Sequence, residues 1–400
     1  MRVVLFTGKG GVGKTSVAAA TSLAAASRGA RTLVMSTDPA HSLADSFDLP
    51  LGSEPTPVAP NLEAMQIDSQ QRLEENWREI QQYAVDVLAW TGMSGIQAEE
   101  LSVIPGLDEL FSLADVKKFA ESSDYDLLVV DCAPTAETLR FLSLPEIMSW
   151  YIEKIFPVER KIINAVRPVL SRMKSLPPIA SDGVFSAIER FYRRIEGVRD
   201  ILIDPAVTSI RLVMNAEKMV IAEARRTFTY LSLFGYRVDA VVVNRLIPKS
   251  VEDPYFDGWK QVQAEHLESI YESFSPVPIL QARLFDREMV GVPLLRELAA
   301  EVYAEHDPAA ILFSDEVIKV DAHDGGHRLS IRLPFAAGET IDLARSGDEL
   351  LIKIGNFKRN VVLPQVVMRE EVTGARFDGD WLRVSFHQSN EEPKVAHGSN

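Results

Sequence analysis

The feature that most limits how this chain can fold is an octapeptide near its start, Gly8-Lys9-Gly10-Gly11-Val12-Gly13-Lys14-Thr15. It follows an apolar run, Val3-Val4-Leu5-Phe6, and precedes an Ala-rich helical stretch from Ser16 to Ser27. Strand, Gly-rich turn and helix in that order let backbone N–H groups approach an anion, with the helix N-terminus favouring its charge. The pattern G-x-x-x-x-G-K-S/T is a phosphate-binding loop. Gly8, Gly10, Gly11, Val12, Gly13 and Ser16 are expected to cradle phosphate. Lys14 should reach the β- and γ-phosphates, and the Thr15 hydroxyl should ligate Mg2+. The expected ligands are ATP and Mg2+.

Other apolar runs extend the pattern: Thr32 to Ser36, Leu62 to Ile67, Asp126 to Val130, Ser209 to Met214, Val238 to Val243 and Pro276 to Leu280. Strands of this kind alternating with helical segments predict a parallel sheet covered on both faces. The fold class is α/β, a doubly wound P-loop NTPase. Residues 70–122 and 139–203 lack strand signals and read as helical insertions. Phe185, Ile188, Tyr192, Ile195 and Ile201-Leu202 form a core stripe at helical spacing. Residues 147–173 carry more apolar side chains than one buried face needs. Packing on two sides or in a dimer is one reading; an exposed groove for an apolar client is the other.

Beyond residue 306 the pattern changes. His306-Asp307-Pro308 reads as a helix end, 306–315 as a linker, and 316–388 as short strands separated by Gly turns, an all-β sandwich. Five strands are legible: Val317–Val320, Arg328–Leu333, Glu349–Ile354, Lys358–Leu363 and Trp381–Phe386. Residues 389–400 read as a frayed polar tail.

The net charge of −15 opposes sequence-independent nucleic-acid binding, which depends on many Lys and Arg contacts. Lys117-Lys118 and Arg225-Arg226 read as solvated helix faces. A single cysteine, Cys132, excludes an intramolecular disulfide and a multi-thiolate metal site within one chain. No leader precedes the first strand and no apolar stretch reaches the length of a spanning helix, so the expected location is cytoplasmic and the protein is not expected to be integral to a membrane.

Three charged residues qualify the nucleotide site. Asp131 ends an apolar strand, where a carboxylate can hold magnesium directly or through water, or cap a turn. Asp38 follows the strand ending at Ser36 and can orient or deprotonate an attacking water, although Asp-Pro is also a common turn. Lys9 is a second loop lysine. It either serves a nucleotide bound by a neighbouring subunit or is a solvated loop lysine.

The octapeptide resembles the deviant Walker A motif of a large ATPase class. Ser36-Thr37-Asp38-Pro39-Ala40-His41-Ser42-Leu43, Pro105-Gly106-Leu107-Asp108-Glu109-Leu110 and Asp131-Cys132-Ala133-Pro134-Thr135-Ala136-Glu137-Thr138-Leu139-Arg140 narrow it. Together they resemble the arsenite-pump ATPase (ArsA) family and its relatives that target tail-anchored membrane proteins. Val241 to Pro248 and Glu288 to Val292 continue the match, which covers residues 1 to about 305. The resemblance implies that Lys9 is an intersubunit lysine, Asp38 a water-activating carboxylate in switch I, Asp131 a magnesium-linked carboxylate in switch II, and Asn244 the asparagine that recognises adenine. It implies a homodimer, a chaperone or targeting role toward hydrophobic clients, and room for a membrane receptor. The alternative is an ATPase subunit driving an arsenite-type pump. Two departures matter. Ala136-Glu137-Thr138 stands where the family commonly has Gly-His-Thr. The arsenite-binding cysteines and a dimer-bridging Cys-x-x-Cys are missing, so neither zinc nor an iron-sulfur cluster is expected. The C-terminal strands are similar to an α-crystallin (small heat-shock protein) domain, carried by Leu329–Pro334, Leu350–Gly355, Arg359–Pro364 and Leu382-Arg383-Val384.

Overall fold

The structure, a computed structural model, describes residues 1–38, 42–66, 107–135, 138, 142, 144, 182–274, 277–315, 318–323, 325–332, 341–346, 349–354, 357–363, 367 and 370–388. The apolar excess at 147–173, the first inserted stretch up to residue 106 and the tail lie outside the described residues, as do Ala136 and Glu137.

Eight strands form one sheet: β1 (Arg2–Thr7), β2 (Thr32–Ser36), β3 (Thr56–Ala59), β4 (Leu62–Gln66), β5 (Leu127–Asp131), β6 (Thr208–Asn215), β7 (Val238–Leu246) and β8 (Ile279–Arg283), in the order β3-β4-β2-β5-β1-β6-β7-β8. All pair in parallel except β3, which runs antiparallel to β4 at the edge. That strand escapes a reading by apolar runs because Thr56-Pro57-Val58-Ala59 is short and its proline suits only an edge. The central strands are buried along their whole length, as helices on both faces require. The strand expected at 276–280 sits three residues later, at β8.

Helix α1 (Lys14–Ser27) explains its own alanines. It is buried on nearly every side, against the sheet, α2 (Ser42–Phe47) and α8 (Val292–Val302), so small side chains permit close packing. Between α2 and α8 lie α3 (Leu107–Glu121), α4 (Asp182–Ile195), α5 (Val198–Ile203), α6 (Lys218–Leu233) and α7 (Asp257–Phe274). Of the stripe expected in the second inserted stretch, Ile195 and Leu202 are buried in the core and Ile188 and Tyr192 pack against it, whereas Ile201 is half-buried outside it and the Phe185 side chain lies outside the described residues. The helix expected to end at His306 stops earlier, at Val302.

The C-terminal strands are β9 (Ile318–His323), β10 (Gly326–Arg332), β11 (Ile341–Ser346), β12 (Glu349–Ile354), β13 (Phe357–Val362), β14 (Glu370–Asp378) and β15 (Trp381–Gln388). They form two antiparallel sheets, β14-β15-β10-β9 and β11-β12-β13. Leu329, Ile331, Leu350, Ile352, Leu382, Val384 and Phe386, from both sheets, make one core, which is a sandwich. Among the described residues seven strands stand where the sequence shows five. β11, with every second residue exposed, and β14, mostly exposed, lack the apolar runs that mark the other strands.

A buried ionic network locks the strands nearest the loop. Asp239 on β7 is fully buried and receives Arg2 of β1 and Arg211 of β6, each at 3.3 Å. The Leu312 N–H donates to the same carboxylate at 3.3 Å. Arg211 also donates to the Tyr303 hydroxyl at 3.0 Å and the Ala310 carbonyl at 3.2 Å. Tyr303 in turn meets Thr21 of α1 at 2.7 Å. Burial pulls the Arg2 pKa down to about 10, with Asp239 opposing the fall. Removing the shared acceptor strands two buried cations. Asp239→Ala is expected to lose about 3–5 kcal/mol of stability, measured by urea unfolding. A loss below about 1 kcal/mol, that of an exposed pair, would show that the cations find other partners.

Candidate functional site

Three strand ends meet at the carboxyl edge of the sheet, where open α/β sheets bind ligands. The loop after β1 carries the octapeptide, Asp38 lies just beyond β2, and Asp131 is the last residue of β5, in register with Ser36 and Phe6. Thr37 N–H donates to the Asp131 carbonyl at 2.9 Å, fastening the start of the Asp38 segment to β5.

The loop's shape depends on two glycines. At Gly8, with φ 154, a Cβ would collide with the Val213 carbonyl oxygen of β6. At Gly13, which caps α1 with φ 92, a Cβ would collide with the Asn244 amide. The loop therefore lies flush against the ends of β6 and β7, and a side chain would push it away.

Asn244 holds that contact. Its Nδ2 donates to the Val12 carbonyl at 2.9 Å and its Oδ1 accepts from Arg245 N–H at 2.9 Å. Each end of the amide keeps one further hydrogen-bonding position. Arg245 has a positive φ of 60, rare for a residue with a side chain, and donates to the Gly11 carbonyl at 2.9 Å. It braces the loop from outside, and no sequence signal announced it.

The loop opens onto a cavity of about 820 Å3. Gly10, Gly11, Gly13, Lys14, Thr15, Ser16, Asp38 and Asn244 line it, so the geometry brings together most of the residues expected from sequence. Gly8, Lys9, Val12 and Asp131 are not on its wall. Val12 puts its side chain in the core and offers only its backbone. The half-buried Lys9 contributes a carbonyl, which accepts from Lys14 Nζ at 3.5 Å. Helix α2 adds Ser42, Asp45 and Ser46, and the segment after β8, from Arg283 to Val290, closes the far side. The strand ending at Arg283 was visible in sequence; its loop's reach to a site built near residue 10 was not.

The electrostatics show which kind of ligand these residues fit. Lys14 is 6% exposed, and among the described residues its ammonium makes one long hydrogen bond and no ion pair. A buried cation so poorly satisfied calls for an anion. Asp131 is fully buried. Ser36 donates to one of its oxygens at 3.3 Å, and among the described residues the other, Oδ1, has no hydrogen-bond partner. Burial pushes its carboxyl up to about 7; Asp38 adds to the rise, while Thr15, Lys14 and Ser36 pull against it. Thr15 meets Ser42 hydroxyl to hydroxyl at 3.1 Å. An unmet carboxylate oxygen near paired hydroxyls fits a hard cation with oxygen ligands, and the unmet ammonium fits its phosphate counterpart. The neighbouring Cys132 is buried, and burial raises its thiol pKa, so it is unreactive.

A doubly wound sheet with this loop, a buried lysine and a buried strand-end carboxylate defines a P-loop nucleotide-binding protein. The anion-transporting ATPase model of the ArsA type matches residues 1–304, and that of an HSP20-like domain found in ArsA matches residues 324–386. The chain belongs to the ArsA ATPase family. It is 41% identical to a putative arsenical pump-driving ATPase of Prosthecochloris vibrioformis, over 96% of each chain. A putative arsenical pump-driving ATPase 1 of Aquifex aeolicus is 39% identical over 96% of this chain and 99% of its own. An ATPase ASNA1 homolog of Entamoeba histolytica is 28% identical over 76% of this chain and 95% of its own. Among the described residues, no helix is long and apolar enough to cross a membrane.

The Asp131 carboxyl generates a pH prediction for the nucleotide-free protein. Between pH about 4 and about 7 it holds its proton when folded but not when unfolded. The folded state then binds more protons, so this group's contribution falls as pH rises through that window. Asp131→Asn is expected to match wild type in urea unfolding near pH 4 and to exceed it by a few kcal/mol at pH 8. An Asn variant with a constant offset at both pH values would contradict the raised pKa.

Proposed function

We propose that this ArsA-family ATPase hydrolyses Mg–ATP as half of a homodimer and uses the cycle to bind and release hydrophobic client proteins. The observation that carries the nucleotide reading is the pair of unmet buried groups beside the loop, Lys14 on the cavity wall and Asp131 at the end of β5. Lys14 and the loop amides would hold the β- and γ-phosphates; Thr15 and Asp131 would hold Mg2+, Asp131 through a water. The ion neutralises charge on the phosphates. Asp38 orients the attacking water and takes its proton. Asn244 turns its remaining amide positions toward the base. Lys9, outside its own cavity, reaches the nucleotide of the second copy.

The client role is supported by the HSP20-like match and by the relative named as an ASNA1 homolog. Clients with one hydrophobic membrane segment, such as tail-anchored proteins, suit it, and the cycle would take place in the cytoplasm, with handover to a membrane receptor. A second reading, driving an arsenite-type pump, is favoured by the names of the more similar relatives. The single buried cysteine opposes a thiolate site for arsenite within this chain.

Asp38→Asn is expected to lower ATP turnover on the order of 100-fold or more while nucleotide binding, read by calorimetry, persists. It should trap a peptide bearing an apolar helix in the presence of ATP. Absence of nucleotide-dependent capture by both wild type and variant would end the client reading, and strong stimulation of wild-type turnover by arsenite would favour the pump. The trans role of Lys9 has its own check. Lys9→Ala and Asp38→Asn proteins, each inactive alone, should regain part of the wild-type activity when mixed. A mixture as inactive as its components would place Lys9 in its own site or outside catalysis.

A further inference from the structure

Helix α6 lies between the segment after Asp131 and the C-terminal sandwich, and one of its faces touches both. Glu223, Thr227 and Tyr230 fall on that face at i, i+4 and i+7. At one end, the buried Thr135 hydroxyl donates to Glu223 Oε1 at 3.1 Å. Thr135 stands four residues beyond Asp131 and next to Pro134, which lines the cavity. Two turns on, about 10 Å along the axis, Tyr230 packs against the apolar core of the sheet and also against that of the sandwich. Among the described residues it is the one side chain shared by the two cores. The helix itself packs on β10, the strand carrying Leu329 and Ile331.

The same segment is fastened a second time. Just past the end of α6, the buried Tyr236 hydroxyl donates to the Leu142 carbonyl at 2.6 Å. Thr138 donates to the Ala133 carbonyl at 2.6 Å and accepts from Thr7 at 3.0 Å, tying the segment to β1 as well. The adjoining stripe of α6, with Val220, Ala224, Phe228 and Leu231, is buried in the sheet's core. A helix held along one side can respond to a displaced Thr135 chiefly by shifting or turning against its neighbours, and β10 is one of them.

We infer that α6 couples the nucleotide-sensing segment after Asp131 to the C-terminal sandwich, with Glu223 as a positioning residue at one end and Tyr230 as the contact at the other. The coupling rests on the reading of Asp131 as part of the nucleotide switch. It does not require that the sandwich bind clients. Whatever occupies or loosens the sandwich would, by reciprocity, alter nucleotide affinity at the loop.

The test is hydrogen exchange of the full-length protein with ADP and with a non-hydrolysable ATP analogue, paired with steady-state turnover. In wild type, exchange should differ between the two nucleotides around Cys132–Thr135 and also in β10. Glu223→Ala and the near-isosteric Thr135→Val should abolish the β10 difference and lower kcat, with KM unchanged. Glu223→Gln, which keeps the acceptor, should retain both. A response around Thr135 that never reaches β10 overturns the coupling alone. A β10 response that survives Thr135→Val, or a Gln variant as impaired as Ala, does the same. No response around Thr135 overturns the switch reading and the coupling with it.

Discussion

Two opposite charges sunk into the protein at the carboxyl edge of the sheet, each short of a partner, organise the molecule around them. Among the described residues, the nearly buried Lys14 makes one long hydrogen bond, and the fully buried Asp131 has one oxygen without a hydrogen-bond partner. A chain selected for stability alone would not keep either. Their surroundings are built to tolerate them: strands buried on both faces, a loop pressed against β6 and β7, and a helix of alanines behind the lysine. The ligand that satisfies both groups also removes the penalty of burying them. Nucleotide occupancy is thus expected to matter to the stability of the whole α/β unit.

The parallel core was legible because its strands are buried twice over and spell continuous apolar runs, as at Leu127–Val130. Edges were not, because an edge strand needs only a few tolerable residues and a neighbour. Thr56–Ala59 with its proline, Ile341–Ser346 and Glu370–Asp378 all fall in that class. Where the sandwich strands face the core, at Leu329, Leu350 and Val384, alternation did give them away. Helix ends were harder, since Val302 to His306 holds no strong breaker before Pro308.

The site divides in the same way. Gly8, Gly13, Lys14 and Thr15 were readable because a phosphate loop needs those residue types at that spacing. Lys9 and Val12 could be placed in the loop but not on or off the cavity wall, because the direction of a side chain in a Gly-rich turn is set by backbone torsions. Arg245 and the wall from Arg283 to Val290 were not readable. They reach the cavity because β7 and β8 end at the edge where β1 ends, which is a fact of strand order and not of local sequence.

The buried network around Asp239 has one more consequence, for how the sandwich is held. The Leu312 N–H is bonded to Asp239, and Asp315 is paired with Arg332 of the sandwich at 3.0 Å. Only Phe313 and Ser314 separate the two anchors, so the tether has almost no slack. A tether that short holds the sandwich near α6 at an effective concentration on the order of millimolar or above. An interface too weak to hold two free proteins together would still be mostly closed here. Such an interface would also cost little to open, so that a small change elsewhere in the chain could decide the position of the sandwich.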